Sequence, residues 1–418
     1  MSEAIALDML DFDPKSIPLE DIDVSQRGLW SQNQKWEFFR RLRNEAPVHF
    51  CKSSEAGPYW SVTRYADIME VEQNWDTFSS DPAIVIEDPD ADFTLPMFIA
   101  MDPPVHDDQR KTVQGVVAPA NLKNMEGLIR SRVQSILDSL PIGETFDWVD
   151  TVSIELTTQM LATLFDFPFE DRRKLTRWSD VATGSPETGI VESEEQRREE
   201  LYECLEYFTR LWKEREHQDP SEKQGIDLVT MLAHGEATKN MGPLEYLGNL
   251  VLLIVGGNDT TRNSITGGVL ALNENPGEYA KLRNNPAVIP NMVSEIIRWV
   301  TPLAHMRRTA VKDYVLGGQQ IKAGDKVVMW YASGNRDERA IERPDEFIID
   351  RARARQHLSF GFGVHRCMGN RLAEMQLRIL WEEIQKRFHM IEVVGEAVRV
   401  PSNFVHGFIE MPVKLHPI

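Results

Sequence analysis

The sequence predicts a mainly α-helical chain with small β-sheets, an α+β unit spanning residues 1–418. Three observations predict it. The middle of the chain carries one uninterrupted helical pattern, Leu244 to Asn273. A second good helix, Asn370 to Phe388, follows a glycine-rich loop built round one cysteine. Strand-like alternation is confined to the two ends. No Pro/Gly/Ser-rich linker, low-complexity tract or internal repeat divides the chain, which favours a single domain with a large core.

In chain order, residues 34–46 place Trp36, Phe38, Phe39 and Leu42 at helical spacing and read as a surface helix. Val48 to Phe50 and Tyr59 to Thr63 read as strands, joined by a turn over Glu55-Ala56-Gly57-Pro58. From about Pro168 to Trp212 the chain is helical and heavily charged, broken at residues 183–189 by a loop rich in Gly, Ser, Thr and Pro. Leu244 to Asn273 would be about 45 Å long at the α-helical rise. Its run Leu250 to Val255 implies burial on every side. Asp313 to Val328 alternates about a Gly317-Gly318 hairpin turn, and Met390 to Ile418 is valine-rich and strand-like. Segments near 48–64, 314–331 and 391–415 are candidates to pair with one another.

Composition narrows the function classes. Net charge is −19, which argues against nucleic acid as a partner. The three cysteines, Cys51, Cys204 and Cys367, are too few and too scattered for a disulfide framework and fit a reducing compartment. Met1 to Asp23 is acidic and has no apolar run, so neither a signal peptide nor a membrane anchor is expected. The longest apolar run in a helix, Leu250 to Val255, is far short of a membrane span. The expected location is the cytoplasm.

Cys367 sits where a loop with glycines at 361, 363 and 369 feeds a helix N-terminus. Free N–H groups and a partial positive charge there favour a thiolate. The glycines let the backbone approach something flat and large. A structural zinc would need further thiolates or imidazoles, and none is near in sequence. The order Phe360-Gly361, Gly363, His365, Cys367, Gly369 resembles the haem-ligand loop of the cytochrome P450 family, the haem-thiolate monooxygenases. The resemblance implies Cys367 as the metal ligand, haem b as cofactor, and a fold that holds the haem between the long central helix and the cysteine-loop helix.

Gly256-Gly257-Asn258-Asp259-Thr260-Thr261 makes poor sense as packing. Two glycines inside a helix cost about 1 kcal/mol each against alanine, and an acid and two hydroxyls follow in a buried stretch. A local helix distortion that opens a groove is expected. The stretch resembles the family's oxygen-activation motif. That implies Thr260 as hydrogen-bond partner of dioxygen and Asp259 as proton relay, the two catalytic candidates, with Gly256 against the cofactor. Asp102 to Arg110 is similar to the family's Asp-Pro-Pro-x-His-x-x-x-Arg helix start. By the same resemblance His106, Arg110, Arg308 (with Arg307 as a rival) and His365 hold the haem propionates, beside Phe360, Gly361 and Gly369. Glu295 and Arg298, three apart on one helix face, are similar to a buried structural lock of the family. The third basic residue of that lock is open, because Glu346 stands where arginine is common; Arg351 is a candidate.

The resemblance also says which segments face the substrate: Ile84, Val85, Phe93, Leu95, Met97, Phe98, Leu253, Leu303, Met306, Phe404 and Phe408, together with Ile86 and Ile254. The inventory is apolar, and so is the implied substrate. Gly256 to Leu282 and Leu358 to Ile384 look like the soluble bacterial alkane hydroxylases of the family. Terminal (omega) hydroxylation of medium-chain alkanes or fatty acids is the expected activity, with a terpenoid or steroid as the alternative substrate. The chain carries no flavin, nicotinamide or iron–sulfur signature. Electrons are therefore expected from a [2Fe-2S] ferredoxin and its reductase, docking on the arginines near Cys367: Arg353, Arg355, Arg366 and Arg371.

Overall fold

The structure, a computed structural model, describes residues 8–219 and 227–418. Residues 1–7 of the acidic N-terminal stretch lie outside the described residues. The fold is mainly helical with small sheets, as expected.

The central helix runs Pro243–Glu274. Proline at its first turn fits, because the missing N–H has no helical partner there. The helix is buried along most of its length and packs against helices Glu155–Phe165, Arg173–Thr183 and Ile289–Val300. It is continuous helix through Gly256-Gly257, so the groove needs no break in the helix. The groove has a simpler origin. A Cβ at Gly256 would meet nothing within 4 Å, whereas one at Gly257 would lie 2.7 Å from Leu161. One glycine opens space and its neighbour allows close packing.

The helix after the cysteine is Asn370–Ile384, and Phe388 already belongs to a strand. The helix expected over residues 34–46 is Trp36–Glu45, with Phe38, Phe39 and Leu42 buried. Helix Arg173–Thr183 gives way at the expected break to a short turn, Pro186–Thr188, before Glu194–Arg215 resumes.

The strands are β1 (Val48–Cys51), β2 (Tyr59–Val62), β3 (Phe78–Ser79), β4 (Thr145–Asp147), β5 (Met306–Ala310), β6 (Tyr314–Leu316), β7 (Gln319–Ile321), β8 (Lys326–Met329), β9 (Phe388–Val393), β10 (Val398–Arg399), β11 (Phe408–Glu410) and β12 (Pro412–Pro417). The largest sheet has the order β1-β2-β8-β5-β3. Strands β1 and β2 pair antiparallel, β2 and β8 parallel. The Gly317-Gly318 hairpin forms between β6 and β7. The C-terminal strands do not join the first sheet: β12 pairs with β9 and β4, and β10 with β11. Strand β5 escaped the sequence reading because adjacent Arg307 and Arg308 break its apolar alternation. Both are buried and paired to acids, Arg307 to Asp88 at 2.7 Å and Arg308 to Glu72 at 3.0 Å. No described helix is long and apolar enough to cross a membrane.

Candidate active site

The cysteine loop is held by backbone geometry. Gly361 and Gly363 have φ of 63° and 66°, values that favour glycine. A Cβ on Gly363 would also lie 2.4 Å from the Glu72 carbonyl oxygen. The Cys367 N–H donates to Phe360 O at 2.8 Å. The residue is exposed to the cavity. Surrounding protein pushes its thiol up by desolvation, against N–H groups of Gly369 and Asn370 and the charges of Arg110 and Arg366. The helix terminus therefore lowers the cost of a thiolate without overcoming burial; a bound metal cation would have to complete the stabilisation.

A cavity of about 750 Å³ opens between this loop and the central helix. Phe360, Gly361, Cys367 and Gly369 line one wall, Gly256 and Thr260 the other. His106, Arg110, Arg308 and His365 reach the same cavity. His365 Nε2 lies 2.8 Å from Ser80 Oγ, and its Nδ1 is buried without a partner. His106 Nδ1 lies 2.7 Å from Asp107, and its Nε2 is likewise buried and unpartnered. The two rings are 4.2 Å apart. Burial, aided by Arg308, His106 and Arg110, pushes His365 down to about 2. Arg110 donates to Arg366 O at 2.5 Å. Arg307 does not compete for this role: it turns to Glu87 O at 2.9 Å and to Asp88.

Two guanidiniums and two unsatisfied imidazole nitrogens beside a slot with a thiol in its wall suit a flat ligand with anionic arms. Buried polar atoms without partners are costly, so this set is fitted to a group such as haem.

On the central helix, Thr260 lines the cavity and donates to Gly256 O at 3.0 Å. Asp259 does not line it. It is fully buried, 2.9 Å from Arg262 and 3.5 Å from Thr183 Oγ1. Arg262 also holds Asp180 at 2.6 Å, and Asp180 is partly exposed. A charged chain thus runs from the surface to the residue beside Thr260. Burial raises the Asp259 carboxyl to about 6, Arg262 opposing and Asp180 adding to the rise.

Ile84, Val85, Phe93, Leu95, Met97, Phe98, Leu253, Leu303, Met306 and Phe404 all line the cavity. Phe408 does not. Its N–H is held by Asn263 Oδ1 at 3.0 Å, and its ring packs under Arg399 at 4.6 Å. Ile86 and Ile254 are core side chains as well. The sequence reading missed Arg27, Met160, Leu164 and Leu201 in the lining, and Glu72, which anchors Arg308. None sits in a local motif that would single it out.

Behind the site, Glu295 and Arg298 are fully buried and paired at 2.8 Å. Arg351 completes the lock, its Nε 2.9 Å from Glu295 Oε2. Glu346 takes part through its backbone, whose carbonyl accepts from Arg298 at 3.0 Å and Arg351 at 2.8 Å.

Residues 142–414 match the family described as Cytochrome P450. This chain is a cytochrome P450. A solved structure, "Cytochrome P450-153 from Novosphingobium aromaticivorans", superposes on this P450 with a TM-score of 0.88 at 48% identity, covering 94% of this chain and 99% of that one. Linalool 8-monooxygenase of Pseudomonas putida is 35% identical over 96% of this chain and 100% of its own length. A methyl-branched lipid omega-hydroxylase of Mycobacterium tuberculosis is 30% identical over 99% of each. The P450 is accordingly a monooxygenase whose family implies haem, taking O2 and an organic substrate.

Proposed function

We propose that this P450 hydroxylates the terminal methyl of medium-chain alkanes or fatty acids. The observation that carries the reading is the apolar wall of the cavity, from Ile84 and Val85 through Leu253 to Leu303, Met306 and Phe404. Such a wall gains about 25 cal/mol per Å² of apolar surface covered and supplies few donors to orient a polar molecule. The 48% identity to the P450-153 structure and the likeness to a lipid omega-hydroxylase support it. A primary C–H is reached only if the chain end is presented to the reacting centre and the internal C–H bonds are withheld.

In this reading the group bound is haem b. Cys367 would hold its iron through sulfur, and His106, Arg110, Arg308 and His365 would hold its propionates, with Gly256, Phe360, Gly361 and Gly369 leaving room for its faces. Bound haem-thiolate supplies the power to cleave O–O. The chain's own part is to exclude water and deliver protons. Thr260 presents its hydroxyl to the cavity. Asp259, raised toward neutrality, hands protons inward and is reprotonated from the partly exposed Asp180 side, Arg262 staying charged and pairing with both carboxyls. A [2Fe-2S] ferredoxin supplies the two electrons.

Linalool 8-monooxygenase among the relatives favours a second reading, a terpenoid substrate. Product analysis separates the two. Turnover of octane, a medium-chain fatty acid and a cyclic terpene should give terminal alcohols from the linear chains. Hydroxylation of the terpene alone would overturn the linear-chain reading.

A further inference from the structure

His305 is a fully buried histidine beside the cavity that no motif claimed. Its neighbours in sequence, Leu303 and Met306, line the cavity, while its own ring points behind the wall. There Nδ1 lies 2.9 Å from Asn403 O, and Nε2 lies 3.2 Å from the Ile86 N–H. The partners fix the tautomer. A carbonyl only accepts, so Nδ1 carries the proton; a backbone N–H only donates, so Nε2 is bare. The ring is wedged edge-on between Trp330 at 4.8 Å and Phe404 at 5.4 Å.

The two anchors belong to different walls. Ile86 follows Ile84 and Val85, which line the cavity; Asn403 and Phe404 line it from the C-terminal part. Each segment has backbone bonds of its own to the chain around His305: Arg307 N to Ile84 O at 2.8 Å, and Ala304 N to Phe404 O at 2.8 Å. The imidazole side chain bridges one wall to the other.

We infer that His305 is a positioning residue for regioselectivity: its neutral imidazole, donating to Asn403 O and accepting from Ile86 N–H, fixes the separation of the Val85 and Phe404 walls and so keeps the cavity narrow enough to admit a chain end. The inference rests on the terminal-hydroxylation reading. Burial holds the ring neutral, pushing it down to about 4, with the Asn403 carbonyl opposing.

The test compares His305→Phe, which keeps a ring and loses both hydrogen bonds, with His305→Gln, whose amide offers one donor and one acceptor. With octane, the ratio of terminal to subterminal alcohol should fall about fivefold in the Phe variant and recover in the Gln variant, at unchanged haem content. A general loss of stability would lower yield without moving that ratio. An unchanged ratio in a folded, haem-loaded Phe variant overturns the inference. Nitrogen NMR of 15N-histidine-labelled wild type gives a second readout that needs no turnover. A neutral Nδ1–H ring persisting to about pH 5 supports the latch; titration near the ordinary value of about 6.5 overturns it. If wild type makes no terminal alcohol, the substrate reading fails, and the latch is still judged by whether the variant changes the distribution of oxidised positions.

Discussion

Asp259, in its proposed role as proton relay, would serve the reaction at a cost to the fold. Its carboxyl is raised from 3.8 to about 6, chiefly by burial. Below about pH 3 folded and unfolded forms are both protonated and Asp259 contributes nothing to the pH dependence. As pH rises from there through about 6, the folded form binds more protons than the unfolded one, so stability falls. Above that window the native state carries a buried charge. Asp259→Asn is therefore expected to raise Tm by about 2 °C at pH 8 and to leave it unchanged near pH 3. Arg262 stays paired with Asp180 in that variant, so no cation is orphaned. Product formation should fall about 100-fold, the usual worth of a positioned proton donor. Melting curves at the two pH values and a turnover assay check both halves; a variant less stable at pH 8 would sink the account. At this scale the sequence was legible where function is packed into a few adjacent positions. Cys367, His365 and the Gly256 to Thr260 stretch declare themselves locally. Asp180, Glu72 and His305 act through partners far away in the chain, 79, 236 and 219 residues from Asp259, Arg308 and Ile86 respectively by their numbering, and no local pattern marks them.

The central helix is an element whose glycines divide two tasks. At Gly248 a Cβ would lie 2.1 Å from the Pro96 carbonyl oxygen, so the helix is pressed against the segment that presents Leu95, Met97 and Phe98 to the cavity. Asn249 reinforces that contact by accepting from the Phe98 N–H at 3.0 Å. Gly248→Ala should cost about 1–3 kcal/mol, the usual cost of overpacking. Gly256 has open space where a Cβ would go. Gly256→Ala should instead stabilise the apoprotein by about 1 kcal/mol through helix propensity, while intruding on the groove and lowering turnover. Thermal melts of both variants beside a turnover assay test the division; destabilisation by Gly256→Ala would overturn it. Periodicity located this helix to within a residue at each end, because an apolar stretch of that length admits few other readings. It failed on β5 and β4, whose residues are strands through their pairing partners. It also failed on Phe408, whose N–H is held by Asn263, far away in the chain.

For the molecule as a whole, charge poses a problem at the surface where the proposed ferredoxin would dock. The chain carries −19, and an acidic ferredoxin is repelled by that field at long range. Arg353, Arg366 and Arg371 are nevertheless exposed. Arg355, Arg366 and Arg371 gather round Glu374, and Arg366 also acts on Cys367. Arg355 is already paired with Glu374 at 2.9 Å, which leaves Arg353, Arg366 and Arg371 as the cations with most to offer a partner. The two effects have different reach. At about 0.1 M salt the screening length is about 10 Å, enough to suppress repulsion from the distant acids while local contacts survive. The rate of reduction by ferredoxin should therefore rise and then fall as salt is added, peaking at moderate ionic strength. Arg366→Glu should slow reduction about tenfold below that peak and flatten the decline beyond it. Substrate affinity should not change, since only the side chain is replaced and Arg110 binds the Arg366 backbone carbonyl. Stopped-flow reduction across a salt series reads all three features. A variant reduced as fast as wild type at low salt would place the electron donor on another face.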